Sequence, residues 1–250
     1  PAILERFVNF MNNPDEETAA EQFGTGDKYF GIATLLSTLP GLPMFGHGQT
    51  EGLREKYGME FAKAYHNEST DDGLLDYHHR VIFPLLRERR RFGGVEFFRF
   101  FDLVREDGSV CEDVFAYCNK AHVDGPSTLV IYNNSMESTS GWLHSSVPFK
   151  ASTGAEDLIT ENLGDALRLQ SDKVYRLEDS GRGVSRREEG QVVNDFGLRV
   201  DLRGYETVVF DRIEIEAERP LIDEEFASEE STQDLAQMQA VSAQQVEFEA

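Results

Sequence analysis

The chain has 250 residues and carries 46 Asp and Glu against 24 Lys and Arg, a formal net charge of −22, with 40% hydrophobic residues. That length supports one large domain or two smaller ones with a proper core. The acidic excess argues against nucleic acid and anionic membrane surfaces as partners, because binding phosphate needs the opposite sign. No apolar run is long enough to cross a bilayer and no signal peptide is recognisable, so a soluble, cytoplasmic protein is expected. Cys111 and Cys118 lie seven apart in one predicted strand. An odd separation sends them to opposite faces, so no disulfide is expected, and no metal-type cysteine spacing occurs. No cofactor is implied.

In chain order, residues 3–10 read as a buried strand, with Phe7, Val8 and Phe10 as an apolar run covered on both faces. Asn12, Asn13, Pro14 and Asp15 break it, since these residue types favour turns and the residue before proline avoids helix. A helix is expected over 15–22, with Glu16 and Glu17 in its first turn. Thr18 and Glu21 have capping-box spacing, which allows a start one turn later. Asp27 is a candidate cap for a second, largely apolar helix over 29–39, ended by Pro40 and Gly41. Residues 42–45 form the next buried strand, and Gly46 and Gly48 let the backbone pass close to a neighbour. Strand, loop, helix, strand is the βαβ unit of a parallel sheet or barrel, and its chemistry sits in the loops after the strands. Asp15 occupies that position. The chain starts at Pro1 directly before this strand, and a parallel strand needs neighbours, so a C-terminal piece of a longer protein is expected.

Residues 50–72 read as an extended polar loop. Helical periodicity returns over 73–92, where Pro84 predicts a kink or two pieces. The basic run Arg87, Arg89, Arg90 and Arg91 reads as a solvated helix end pairing with carboxylates. Strands are then predicted at 95–103, 110–118, 128–132, 142–149, 174–177, 190–193, 198–202 and 207–215, with one helix over 155–167. Turn signals such as Asp107-Gly108 separate the strands, and the series describes an all-β sandwich. Residues 219–250 are acidic and poor in large apolar side chains, the composition of a mobile tail or of a truncated following segment. His78 and His79 are adjacent and cannot share a helix face, so they decorate or cap a helix and do not form a metal pair. Tyr132 and Trp142 read first as core, and as a stacking platform second.

The order Phe10, Asn13, Asp15 between a strand and a helix resembles the fourth conserved region of the α-amylase family, glycoside hydrolase family 13, whose pattern is Phe-x-x-Asn-His-Asp after barrel strand seven. The stretch PGLPMFGHGQ, residues 40–49, is similar to that family's eighth strand. The resemblance implies α/β followed by all-β, the C-terminal fragment of a (β/α)8 TIM barrel with an antiparallel β-sandwich. Residues 1–93 would supply barrel strands seven and eight, 94–218 the sandwich and 219–250 the tail. It implies a retaining enzyme acting on an α-glucan or oligosaccharide, whose transition-state-stabilising carboxylate is Asp15. Asn13 and Gln49 are the implied substrate-binding residues, and His47, between two glycines, is a further candidate whose plain alternative is an ordinary hydrogen-bonded loop histidine. Pro14 replaces the family's histidine and offers neither a side-chain donor nor a backbone N–H. The family's nucleophile and acid/base lie on strands four and five, so the remainder of the barrel upstream is the implied partner, and this chain alone is an incomplete enzyme. The rivals are a non-catalytic carbohydrate-binding or structural protein with a decayed site, and an interaction module over 95–218. An N-cap role for Asp15 is the plain alternative to catalysis.

Overall fold

A parallel strand–helix–strand unit opens the computed structural model, which describes residues 3–58, 62–150 and 157–218. Strands β1 (Val8–Phe10) and β2 (Leu42–Met44) pair in parallel, Val8 opposite Leu42 and Phe10 opposite Met44. Helices α1 (Ala19–Phe23) and α2 (Asp27–Thr38) connect them. The expected strand over 3–10 shortens because residues 4–6 turn as a 3₁₀ helix. The expected two-sided burial is also corrected. Phe7, Val8, Phe10, Leu42 and Met44 are all exposed: among the described residues β1 and β2 pair with one another alone, and no further strand flanks them.

Helix α1 starts at Ala19, one turn later than the expected start at residue 15. Thr18 is its N-cap and accepts the Glu21 N–H at 3.3 Å, the slip that the Thr18–Glu21 spacing allowed. Asn13 explains why residues 15–17 stay outside: its Oδ1 accepts the N–H groups of Asp15 and Glu16 at 2.8 and 3.1 Å, closing an Asx turn. Gly26, not Asp27, precedes α2, and Asp27 sits in the first helical turn. After the 50–58 and 62–71 loop segments come α3 (Asp72–Tyr77), a π-helical turn (His78–Ile82) and α4 (Phe83–Arg87). Pro84 has no N–H and crowds the carbonyl four residues back. The widened turn, with Phe83 N–H bonded to the His78 carbonyl, absorbs that misfit without breaking the helix.

Strands β3 (Arg99–Val104), β4 (Val110–Asn119), β5 (Thr128–Asn133) and β6 (Thr139–Ser146) follow. Next are the short hairpin β7 (Phe149–Lys150) and β8 (Leu158–Ile159), helix α5 (Leu163–Leu167), and strands β9 (Lys173–Asp179) and β10 (Val184–Glu189). Helix α6 (Gly190–Phe196) and strands β11 (Leu198–Leu202), β12 (Thr207–Phe210) and β13 (Arg212–Glu218) complete the described chain. Six strands form one antiparallel sheet in the order β11-β6-β3-β4-β5-β12, and β10-β9-β13 form a second. Phe101, Leu103, Ile131, Leu143 and Leu198 from the first sheet meet Tyr175 and Leu177 from the second in a shared core, so the β-rich region is a sandwich.

Several strand expectations change. Residues 190–193 are helical, since a short apolar run fits either state and Gly197, at φ 84°, supplies the helix stop. Strand β10, with Arg186, Arg187, Glu188 and Glu189 along it, lacks the apolar signal that marks a strand. Residues 207–215 divide at Asp211 into strands of different sheets, and the helix expected over 155–167 shrinks to α5, residues 155 and 156 lying outside the description. Cys111 and Cys118 are free, yet both enter the sandwich core. The pairing of β3 with β4 slips between Phe101–Ala116 and Leu103–Cys111, which cancels the alternation the odd spacing relied on. Residues 219–250 lie outside the description.

The outer face of the six-stranded sheet is also covered. Leu35 of α2, Leu85 of α4 and Phe92 pack on Tyr117, Val130, Tyr132 and Val209. Thr38 and Tyr117 share a hydroxyl hydrogen bond of 2.5 Å, and Arg89 donates to the carbonyls of Ser37, at 3.0 Å, and of Leu39 and Gly41. Of the arginine run, Arg91 does reach a carboxylate, Glu88 at 3.2 Å, but Arg89 instead caps the end of α2. Tyr132 is fully buried, while Trp142 stands opposite Arg199 on β6–β11 with the guanidinium 5.9 Å from its ring, so the two aromatics form no joint platform.

Gly31 marks the closest approach of α2 to the sheet, where a Cβ would stand 2.0 Å from the Tyr132 ring. A mid-helix Gly→Ala change ordinarily stabilises by about 0.5–1 kcal/mol. Here Gly31→Ala is expected to destabilise by about 1–3 kcal/mol, read as a lower urea midpoint. The loss should largely vanish in a Tyr132→Leu background.

Candidate functional site

Both parallel strands run toward the same end, so the loops that follow them converge. Between them lies a cleft of about 230 Å³, lined by Asn12, Asn13 and Pro14 after β1 and by Phe45, Gly46 and His47 after β2. Lys56 and Tyr57 close its third side. A crevice at the carboxyl ends of parallel strands is where α/β folds place ligands.

Asp15 stands at the rim, exposed, and its carboxylate takes no hydrogen bond from the described residues. Its backbone is held at both ends: the N–H donates to Asn13 Oδ1 at 2.8 Å, and its carbonyl accepts from Lys56 Nζ at 2.8 Å. It caps no helix, because Thr18 does. Asn13 is half-buried and its side-chain oxygen is consumed by the turn. His47 is exposed, with its ring edge-on to Tyr57 at 4.3 Å. Gln49 is buried beneath the loop, where Oε1 accepts the Gly46 N–H at 3.0 Å and Nε2 lies 3.2 Å from Met11 Sδ. Asn13 and His47 therefore share the cleft, Asp15 edges it, and Gln49 holds its wall from behind. Gly46 is required there: a Cβ would meet the Asn12 side chain at 2.5 Å.

Lys56 is the one lysine or arginine among the cleft's lining residues. It is occupied by the Asp15 carbonyl and, at 3.9 Å, by Glu17. Its loop is shaped by carboxylates on backbone amides. Glu68 receives the N–H groups of Arg54 and Glu55, and Glu55 those of Tyr65 and His66. Those two amides hold the Glu55 carboxyl below its usual range. Among the described residues no His, Cys, Asp and Glu cluster could hold a metal ion, and no helix is long and apolar enough to cross a membrane.

The residues that sequence reasoning missed lie under the cleft. Tyr29 and His78 are fully buried, and the Tyr29 hydroxyl is 2.9 Å from His78 Nε2 and 3.0 Å from the Gln49 carbonyl. His78 Nε2–H donating to Tyr29, whose hydroxyl donates to Gln49, uses both protons and leaves Nδ1 as a bare acceptor without a partner. A mid-helix histidine next to a second one carries no sequence signal for such a role.

No protein-family model matches the sequence, and no curated protein matches it. Solved structures do share its fold. An α-amylase from Geobacillus thermoleovorans, complexed with acarbose, aligns at 15% identity with a TM-score of 0.51, over 85% of this chain and 40% of its own. A debranching enzyme from Nostoc punctiforme aligns at 12% identity and TM-score 0.50, over 83% of this chain and 36% of its own. A cyclomaltodextrin glucanotransferase with three domains aligns at 14% identity and TM-score 0.50, over 86% and 38%. The chain thus spans about two fifths of the length of the structures it resembles.

Burial pushes the His78 imidazole down to about 4, with Glu51 raising it and His79 lowering it to smaller extents. An unfolded histidine titrates near 6.5, so between these values the unfolded chain binds a proton that the folded one refuses. Stability is therefore full above about pH 6.5 and falls as pH drops. The His78 contribution is expected to cost about 2 kcal/mol between pH 7.5 and 5. Urea titrations of the wild type and His78→Gln at both pH values check this, the variant lacking that part of the slope.

Proposed function

We propose that residues 3–58 form one wall of the ligand site of an α-amylase-type glycoside hydrolase or transglycosylase, with β1 and β2 as the seventh and eighth strands of a (β/α)8 barrel. In this reading residues 1–93 belong to the barrel, 94–218 are its C-terminal sandwich, and the substrate is an α-glucan or oligosaccharide. One observation carries it: Asp15 presents an exposed, unbonded carboxylate from a clamped turn at the end of a parallel strand, and the helix start does not need it. The exposed apolar faces of β1 and β2 add support, since parallel strands are ordinarily covered on both sides.

The cleft's chemistry suits a neutral ligand. Its one lining lysine is shared with the Asp15 carbonyl and lies 3.9 Å from Glu17, a setting that offers an anion no dedicated cation. Asn, Thr and His side chains beside Tyr57 and Phe45 fit a polyhydroxylated ligand. Asp15 then accepts hydrogen bonds from ring hydroxyls that strengthen as the sugar distorts toward an oxocarbenium-like transition state. His47 contacts the ligand from the opposite wall. Gln49 acts through the loop it holds, and Asn13 through the turn. Retaining chemistry needs two further carboxyl groups about 5–5.5 Å apart, which in this reading come from polypeptide beyond these 250 residues. Glu16 and Glu17 are not assigned to them.

Pro14 favours a second reading, a carbohydrate-binding protein without turnover, because it lines the cleft where a donor side chain would otherwise reach the sugar.

Asp15→Asn in the polypeptide that completes the barrel separates the two. With the first reading, maltooligosaccharide turnover falls by about 10²-fold or more, the size of one lost transition-state contact, while the unfolding midpoint stays within about 0.5 kcal/mol of wild type. Binding of acarbose without any turnover by the wild type would favour the second.

A further inference from the structure

We infer that Tyr29 and His78 are positioning residues for the loop of residues 45–49, fixing where His47 presents its ring in the cleft. A polar pair buried between helices gives little net stability over well-packed apolar side chains. Here it also leaves His78 Nδ1 buried without a partner, which costs about 1–3 kcal/mol. The arrangement is built for its direction. Tyr29 comes from α2, and His78 opens the π-helical turn between α3 and α4. Together they deliver one hydroxyl hydrogen to the main-chain carbonyl of Gln49.

That carbonyl is the far anchor of the loop. The near anchor is the Gly46 N–H, held by the side chain of the same Gln49, and the Gln49 N–H bonds back to the Gly46 carbonyl at 3.2 Å. Between the anchors sit His47 and Gly48, the latter at φ 69°. The Gly48 carbonyl accepts the Leu53 N–H at 2.9 Å, which fixes the exit of the turn, so the ring position of His47 depends on this tie together with the two anchors. The His78 ring supports the entry side too, 6.1 Å edge-on from Phe45. Thus two residues that do not line the cleft set the face His47 shows to Tyr57 and to the cleft. This geometry stands whatever the ligand is; only its use in sugar binding rests on the proposed function.

Histidine-labelled NMR of the 250-residue chain tests it, with the His47 signal assigned by its disappearance in His47→Gln. In the wild type a ring–ring NOE is expected between His47 and Tyr57, whose centroids are 4.3 Å apart. Tyr29→Phe keeps the aromatic packing and removes only the hydroxyl, so the NOE should be lost and the His47 signal should shift while the fold persists by circular dichroism. His78→Phe should do the same. His78→Gln, whose amide can replace the Nε2–H donor, should restore the wild-type signal. An unchanged NOE and His47 signal in Tyr29→Phe, with only the unfolding midpoint lowered, would overturn the inference and leave a purely structural pair. Acarbose added to the wild type keeps the two ideas apart. No shift at His47 would weaken the sugar reading and leave the positioning result intact.

Discussion

The contact of α2 with the outer face of the six-stranded sheet is the constraint on which the rest depends. Two three-residue parallel strands hydrogen-bonded only to one another are too little structure to stand alone. They keep their register because the helix between them is fixed at three places. Gly31 lets it lie against the Tyr132 ring, Thr38 and Tyr117 join hydroxyl to hydroxyl, and Arg89 gathers the three carbonyls at its end. The first two contacts set distance and rotation. The third sets where the chain leaves the helix to begin β2. A guanidinium suits that task because its planar fork donates to several acceptors from one rigid position.

With the strands fixed, the loops at their ends inherit a position but not a shape. Shape comes from side chains acting on the backbone. Asn13 closes the turn before Asp15, Lys56 holds the carbonyl after it, and Gln49 spans the loop after β2. Carboxylates do the same work in the long segment behind, where Glu55 and Glu68 collect four backbone amides from residues 54, 55, 65 and 66. A chain with net charge −22 therefore spends part of its acidic excess on organising irregular backbone.

What could be read from the sequence follows from the range of the interactions involved. The βαβ order, the late start of α1, the irregular turn before Pro84 and the core strands of the sandwich are encoded locally, in Thr18–Glu21 spacing, proline chemistry and alternation such as Leu198, Val200 and Leu202. Strand β10 was not legible because its charged residues owe their conformation to pairing with β9. The cysteines illustrate a sound expectation reached by a broken route: no disulfide forms, yet a bulge puts both thiols in one core. In the site, Asp15 and His47 were visible as polar residues after strands. Tyr29 and His78 were not, because a hydrogen bond across 49 residues leaves no trace in spacing.

The exposed apolar strands and the exposed carboxylate belong to one argument. Phe7, Val8, Phe10, Leu42 and Met44 present apolar surface that in a parallel sheet belongs against other elements, and Asp15 presents a charge with no partner among the described residues. Each alone has an ordinary explanation, since single exposed apolar residues and solvated carboxylates are common. Their coincidence on a unit whose inner side is so firmly docked is harder to explain by chance. The sandwich stabilises a short parallel unit whose apolar strand faces stay exposed. In the proposed reading further barrel strands close over this unit, and the carboxylate at its tip then faces a shared interior. That reasoning, more than the likeness to any enzyme, is what supports the role proposed for Asp15 and for the turn that carries it.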